Sequence, residues 1–368
     1  ADRLSLPRLL AFSGGSIPAY LLVGVMGVYL PRFYAGHLGI GLMELGAAIA
    51  GIRLVDIGID LAIGMAMDKT RTPLGRYRPW FLLGLPVLAV AVFKVFNPPE
   101  GAGIPYLVGW YMLLYVAYSL LALGHAAWAG TLTPNYNERS RIFGWMMGIA
   151  LVGNVTLNAL PLLTGGAINP AQSESIPMVG WIIIAAAMIT VPLAVIMAPE
   201  RIPPVAKKEK LTFKDYAAVV AKPSMLRLIL ADLFLTLGPG TTAPMYVFFF
   251  HDAKEFTLTE VPELLIFYVL AGVFGAPIWG RVAGKLGKHR TIQVAVVAYA
   301  ITQAILMALP AGAFWLTAAG MFAVGFAASA FVLLVRAMVA DVADELRLET
   351  GRERSGVLFA LVTMTSKF

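Results

Sequence analysis

Ten runs of mostly apolar residues, and the start of an eleventh, follow one another along the chain with short polar segments between them. They cover roughly residues 9–29, 42–63, 80–96, 106–131, 143–163, 178–197, 226–249, 262–282, 292–309 and 314–337, and the last opens at Gly356. About 20 apolar residues in a helix suffice to cross the hydrocarbon core of a bilayer. The pattern therefore predicts an all-α polytopic membrane protein. Asn97-Pro98-Pro99 closes the third run, because proline cannot continue the hydrogen-bond ladder, and Gly165-Gly166 closes the fifth. The longest polar stretch, 199–223, holds Lys207, Lys208, Glu209 and Lys210, with a short surface helix expected near 213–220. It divides the chain into a bundle over 1–198, a cytoplasmic linker over 199–224 and a second bundle over 225–368. A loop of mixed charge, 341–354, is expected before the eleventh run.

Composition narrows the class. Hydrophobic residues make up 59% of the chain and charged ones 13%, against about 45–50% and 25% in soluble domains. No soluble fold of this size encloses so much apolar surface, whereas lipid accommodates it. The absence of cysteine excludes disulfides, thiolate metal sites and cysteine nucleophiles. A net charge of +7 raises the question of a nucleic-acid partner, but the basic residues sit between apolar runs and not along one amphipathic face. Alternate connections hold Lys69, Arg71, Arg76 and Arg78; Arg139 and Arg141; Arg201, Lys207, Lys208, Lys210 and Lys214; and Lys285, Lys288 and Arg290. The other connections hold only Arg32, Lys94 and Lys254. That asymmetry predicts a cytoplasmic amino end, in a bacterial inner membrane, and no nucleic-acid partner. The first run is too long for a cleavable signal and another span follows it. The chain begins at Ala1 and stops at Phe368 inside an expected helix, so the natural protein is expected to be longer.

Charged groups at membrane depth are costly and mark paths or sites. The second run carries Arg53, Asp56 and Asp60, spaced three and then four, which places them on one helical face. Two carboxylates a turn apart repel unless a cation sits between them. The pair reads as a site for Na⁺ or a proton, or as a structural ion-pair cluster with Arg53. Lys367, about eight residues into the eleventh run, either neutralises those carboxylates or snorkels to the interface. His125 and Trp128 share a face of the fourth helix, where they line a cavity or pack the core. Tyr20 in the first helix, Asn154 and Asn158 in the fifth, and Asp232 in the seventh are further cavity candidates. Gly238-Pro239-Gly240 predicts a break in the seventh helix. His37, His125, His251 and His289 lie on separate segments without metal-like spacing, which argues against a membrane enzyme.

The loop after the second run, with Gly64, Asp68, Lys69 and Gly75-Arg76-Tyr77-Arg78, is echoed after the eighth by Gly280-Arg281, Gly284-Lys285 and Gly287-Lys288-His289-Arg290. Such an echo fits two repeated six-helix halves, an architecture that serves alternating access.

The stretch Arg53-Leu-Val-Asp56-Ile-Gly-Ile-Asp60, continuing through Asp68-Lys69-Thr-Arg71 and Gly75-Arg76-Tyr77-Arg78-Pro79-Trp80, resembles the glycoside–pentoside–hexuronide:cation symporters, the melibiose permease branch of the major facilitator superfamily. Asp341-Val-Ala-Asp344-Glu345 with Gly351 and Arg354-Ser-Gly356, and Ala127-Trp128 with Tyr136-Asn-Glu138-Arg139, extend the resemblance over the whole chain. It implies a major facilitator fold of two six-helix bundles, here cut within the eleventh helix, working as a monomer without a cofactor. It also implies that Asp56 and Asp60 bind the coupling ion, Na⁺ or H⁺, near Lys367, and that Trp128 belongs to the sugar site. Asp68, Arg71, Arg76, Arg78, Asp341, Asp344 and Arg354 fall on cytoplasmic gating motifs. The sugar-binding acids of the family fall on Tyr20 and Gly124, its arginine on Ile149, and a threonine of its cation site on Leu121. The resemblance thus implies a cation-coupled symporter of a small organic solute other than a typical disaccharide. A lipid-like solute, proton coupling, an uncoupled carrier and a sensor or scaffold remain the alternatives.

Overall fold

The computed structural model describes residues 4–133, 136–200 and 222–350, without side-chain detail at some positions within them. The expected surface helix near 213–220 lies outside these residues. The chain divides into two compact units, Ala1–Ala206 and Lys207–Phe368.

The first unit holds six long helices: α1 (Leu6–Gly36), α2 (Leu42–Lys69), α3 (Arg78–Phe96), α4 (Ile104–Thr131), α5 (Tyr136–Asn158) and α6 (Ile176–Met197). Among the described residues four follow in the second: α7 (Pro223–Ala253), α8 (Glu260–Leu286), α9 (Lys288–Ala308) and α10 (Phe314–Thr350). Eight of these are long and apolar enough to cross a membrane. The two outside that group are α2 and α5, which carry Arg53, Asp56 and Asp60, and Asn154 and Asn158. Large apolar side chains such as Trp315 and Ile196 are 77% and 79% exposed on the bundle surfaces. Left in water, each would forfeit about 1.5–3 kcal/mol of transfer free energy, and a bilayer removes that cost.

Two helices lose regular α-geometry at comparable places. In α1, the α-helical pieces Leu6–Gly14 and Ile17–Gly24 lead into a π-helical turn at Val25–Tyr29, before the helix resumes as Leu30–His37. Pro31 lacks the N–H that would bond one turn back, which loosens the ladder there. In α7, a π-helical turn occupies Phe248–Ala253. The predicted break at Gly238-Pro239-Gly240 does not occur: Pro223–Val247 is continuous α-helix with Pro239 and Pro244 inside it. Thr241 Oγ1 donates to the carbonyls of Leu237 and Gly238, and Thr242 Oγ1 to those of Gly238 and Pro239, so both hydroxyls are bonded within their own helix.

Two expected loops are also helical. α10 runs to Thr350, through most of the predicted 341–354 loop, because good helix formers and no glycine or proline fill the stretch from Phe326 to Thr350. The connection from α8 to α9 shrinks to Gly287, whose φ of 81° is a conformation that glycine adopts without strain. Lys254 caps the far end of α9, its Nζ donating to the carbonyls of Met307 at 2.7 Å and of Leu309.

Within the second unit, α8 and α10 pack backbone to backbone. A Cβ on Gly325 would run into the carbonyl oxygen of Tyr268, and one on Gly275 would lie 2.9 Å from the carbonyl oxygen of Phe326. Small residues at crossings are how membrane helices reach this separation. Gly325→Val is therefore expected to destabilise the fold by about 1–3 kcal/mol through overpacking, and to lower the melting temperature of the detergent-purified protein. Gly272→Val, where a Cβ meets nothing within 4 Å, is the control. Equal melting temperatures for the two variants would refute the close-packing account.

Candidate functional site

The middle of helix α2 holds three ionisable groups, Arg53, Asp56 and Asp60, in a bundle of mostly apolar side chains, and α4 supplies polar neighbours. The Asp56 side chain is 1% exposed. Its Oδ1 accepts a long hydrogen bond, 3.5 Å, from Ser119 Oγ of α4, which is itself fully buried. Asp60 lies one turn further along α2 and is half-buried. Arg53, also half-buried, donates from Nε to the Tyr115 hydroxyl at 3.1 Å. Tyr115 is within electrostatic reach of both Arg53 and Asp56, and Tyr118 is within reach of Asp56, Tyr115 and Tyr20. Tyr111, Tyr115 and Tyr118 follow the four-and-three spacing that keeps side chains on one helical face. The Tyr111 hydroxyl is already committed to the Met26 carbonyl, at 3.1 Å.

Tyr20 of α1 is 40% exposed, and its hydroxyl lies 3.2 Å from Met147 Sδ of α5. Tyr20, Arg53 and Asp56 are thus gathered around Tyr115 and Tyr118. Asn154 and Asn158 form a separate group. Asn158 Nδ2 donates to the Asn154 carbonyl at 2.8 Å and to Asn154 Oδ1 at 3.1 Å, and Asn158 Oδ1 accepts from the Tyr29 hydroxyl at 2.5 Å. This network joins α5 to the π-helical turn of α1.

His125 and Trp128 are buried further along α4. His125 Nε2 lies 2.9 Å from the Phe12 carbonyl, and its ring stacks on Phe81 at 5.1 Å. Trp128 stands edge-on to Phe12, centroids 5.0 Å apart, and donates its indole N–H to the Pro199 carbonyl at 3.2 Å. Of the two readings of these residues, core packing describes their contacts.

The Arg78 guanidinium lies over the Trp128 ring, 5.4 Å from its centroid, and an Nη donates to the Ala198 carbonyl at the end of α6. Glu200, two residues on, turns back to the start of α3. Its Oε1 accepts from the backbone N–H of Arg76 at 2.6 Å and of Tyr77 at 2.7 Å, and its Oε2 from that of Arg78 at 3.3 Å. A carboxylate there satisfies amides that have no partner within the helix and meets the positive end of the helix dipole. Arg76 Nε donates to the Met67 carbonyl at 3.2 Å, while Arg71 is exposed.

In the second unit Asp232 is buried on α7, and Thr236 Oγ1 donates to its backbone carbonyl at 2.8 Å. Asp341 pairs with Lys288 at 2.5 Å. Lys367 and Arg354 lie outside the described residues, as do the side chains of Asp68 and Asp344.

Three contributors escape a reading of charge alone: Ser119, Tyr115 and Glu200. The family threonine falls on Leu121, but Leu121 faces α3, where its Cδ2 would lie 2.9 Å from a Cβ on Gly84. The hydroxyl facing Asp56 belongs to Ser119, two residues earlier. The four-and-three run of tyrosines was a visible signal for the α4 face. An acid immediately beyond α6, facing a basic loop, was a weaker one for Glu200.

Membrane-length helices that enclose ionisable groups mark a membrane protein with a functional site in its bundle, and the sequence comparison makes that protein a transporter. The sequence comparison gives the particular family: the chain belongs to the MFS/sugar transport protein family, whose model matches residues 11–368. The isoprimeverose transporter of Lactiplantibacillus pentosus is 23% identical over 97% of this chain and 76% of its own length. The sphingosine-1-phosphate transporter MFSD2B of Mus musculus is 23% identical over 94% of this chain and 74% of its own. A crystal structure of the nucleoside transporter NupG shares the fold, with a TM-score of 0.70 at 12% identity, covering 98% of this chain and 88% of that one. The protein is a multi-pass transporter of the sugar-symporter type with a major facilitator fold, and not an enzyme.

Glu200→Ala is expected to remove about 1–2 kcal/mol of capping from α3. Hydrogen exchange at the Arg76, Tyr77 and Arg78 amides should then quicken by about tenfold, with no change at the α4 amides. Unchanged exchange at those three amides would show that the cap is not formed.

Proposed function

We propose that the protein is a cation-coupled symporter that carries a small organic solute by alternating access, with Asp56 and Asp60 as the coupling site. One observation carries this reading. Asp56 is buried within the first helical bundle, facing the Ser119 hydroxyl, with a second carboxylate one turn away. A lone buried carboxylate is strongly disfavoured as an anion. Two carboxylates and a hydroxyl offer hard oxygen donors to Na⁺, and the carboxylates alone suffice for a proton. Ser119 favours Na⁺, because a proton site has no use for a third oxygen. Lys367 completes the proposal as a competitor for the aspartates.

The solute is proposed to meet Tyr20, Arg53, Asn154 and Asn158 in the first bundle, with His125 and Trp128 supporting from behind, and Asp232 is proposed as a solute residue of the second bundle. Tyrosines and amides suit an amphiphilic or lipid-like solute better than a disaccharide, which is normally held by carboxylates. The similarity to both an isoprimeverose transporter and a sphingosine-1-phosphate transporter leaves room for either kind of solute. Asp68, Arg71, Arg76, Arg78, Asp341, Asp344 and Arg354 are proposed to brace the cytoplasmic ends. The protein would act as a monomer in a bacterial inner membrane, with its amino end in the cytoplasm.

In proteoliposomes, Asp56→Asn and Asp60→Asn should abolish ion-driven uptake. Ser119→Ala should raise the Na⁺ concentration needed for half-maximal uptake by about tenfold, the effect of losing one buried ligand contact. If Ser119→Ala leaves the Na⁺ dependence untouched while uptake follows the pH gradient, the coupling ion is the proton. Ion-independent uptake by the native protein would overturn the symporter reading.

A further inference from the structure

The Arg53 guanidinium carries five N–H donors. Among the described residues it makes one hydrogen bond, from Nε to Tyr115. Asp56 stands only one turn along α2, yet no ion pair joins the two among the described residues. Asp56 turns instead to Ser119 of α4. Among the described residues neither Nη group, together holding four of the five donors, bonds an acceptor on this half-buried side chain, and Asp56 acts on the guanidinium only from beyond contact. Holding a cation in that state costs free energy that an anionic partner would offset.

The geometry is that of a prepared fork. Tyr115 fixes the guanidinium through Nε, and Tyr111, packed on Tyr115 with ring centroids 5.7 Å apart, is itself tied to the α1 backbone. The remaining edge presents two parallel N–H donors, the arrangement that accepts two oxygens of one carboxylate or phosphate group. Tyr118 and the exposed ring of Tyr20 lie close by and offer an aromatic wall to the rest of a solute. A structural arginine would be expected to spend its Nη donors on backbone carbonyls, as Arg78 does at Ala198.

We infer that Arg53 holds an oxyanion of the transported solute, which therefore carries a carboxylate or a phosphate group. This inference rests on the transporter site proposed above and adds the charge class of its cargo. A sugar acid and a lysophospholipid would both present the required group.

The test is equilibrium binding to the full-length protein in nanodiscs, with and without Na⁺, using two matched pairs of probes. The pairs are glucuronate with glucose, and lysophosphatidate with monoacylglycerol. In each pair that binds, the anionic member is expected to bind at least about tenfold more tightly, the scale of a charge-assisted hydrogen-bonded pair. Whichever pair shows the preference identifies the source of the anion. Arg53→Gln should erase the preference, bringing the anionic member to the affinity of the neutral one, and Arg53→Lys should keep part of it. Tyr115→Phe, which leaves the charge in place but frees the fork, should weaken anion binding several-fold and serves if Arg53→Gln does not fold. Na⁺-dependent binding of a neutral probe, with no anion preference, would overturn the inference and leave the symporter reading standing. Anion binding that depends on Arg53 but not on Na⁺ or pH would support the inference and overturn cation coupling. Failure of both anionic probes to bind would also overturn the inference.

Discussion

Charge on α2 sets the terms for the first bundle. Arg53, Asp56 and Asp60 stand on a helix whose surroundings offer little dielectric relief, so the neighbouring helix has to provide what water would. α4 does so along one face, with Tyr115 for the guanidinium and Ser119 for the carboxylate. Those bonds fix the register of α2 against α4. They also explain why α4 combines long apolar stretches with tyrosines at four-and-three spacing. The chemistry of the site and the packing of this helix pair are therefore a single arrangement, and replacing a polar member alters both.

Elsewhere polar groups are used locally, at helix ends and breaks. Glu200 closes the start of α3, Lys254 the end of α9, and Thr241 and Thr242 the proline-rich stretch of α7. Glu200 and Lys254 supply partners to backbone groups that the helical ladder cannot serve. In hydrocarbon an unserved backbone group costs several kcal/mol, roughly the scale of a whole domain's net stability. The asparagine pair of α5 belongs to the same pattern, because it anchors the tyrosine at the π-helical turn of α1.

Much of the fold was legible in the sequence, since a run of apolar residues long enough to span lipid has few other uses. Arg53, Asp56 and Asp60 were equally plain, because charge stands out against such a background. Hydroxyl groups stand out less: serine occurs throughout membrane helices, so nothing in the sequence separates Ser119 from residues that merely pack, and Tyr115 is marked only by its place in the four-and-three run of tyrosines. Register was the second obstacle. Position matching pointed to Leu121, which faces α3, while the hydroxyl facing Asp56 is two residues away. Proline and glycine misled at α7, where Pro239 lies inside a continuous helix. Charge misled at α10, where a mixed-charge stretch read as a loop is composed of residues that favour helix. Glu200 was hidden for another reason: its partners are backbone amides, which carry no sequence signal.

The position of Glu200 has a mechanical consequence. It is the last described residue before the segment that ties the first unit to the second, and its carboxylate grips the start of α3 and not its own helix. A displacement of the chain just beyond α6 is therefore delivered to α3 directly. The Arg78–Ala198 contact shares the load from the opposite strand of the chain. The exit of α6 and the entrance of α3 are thus welded by contacts from both sides, and neither helix end can shift without carrying the other.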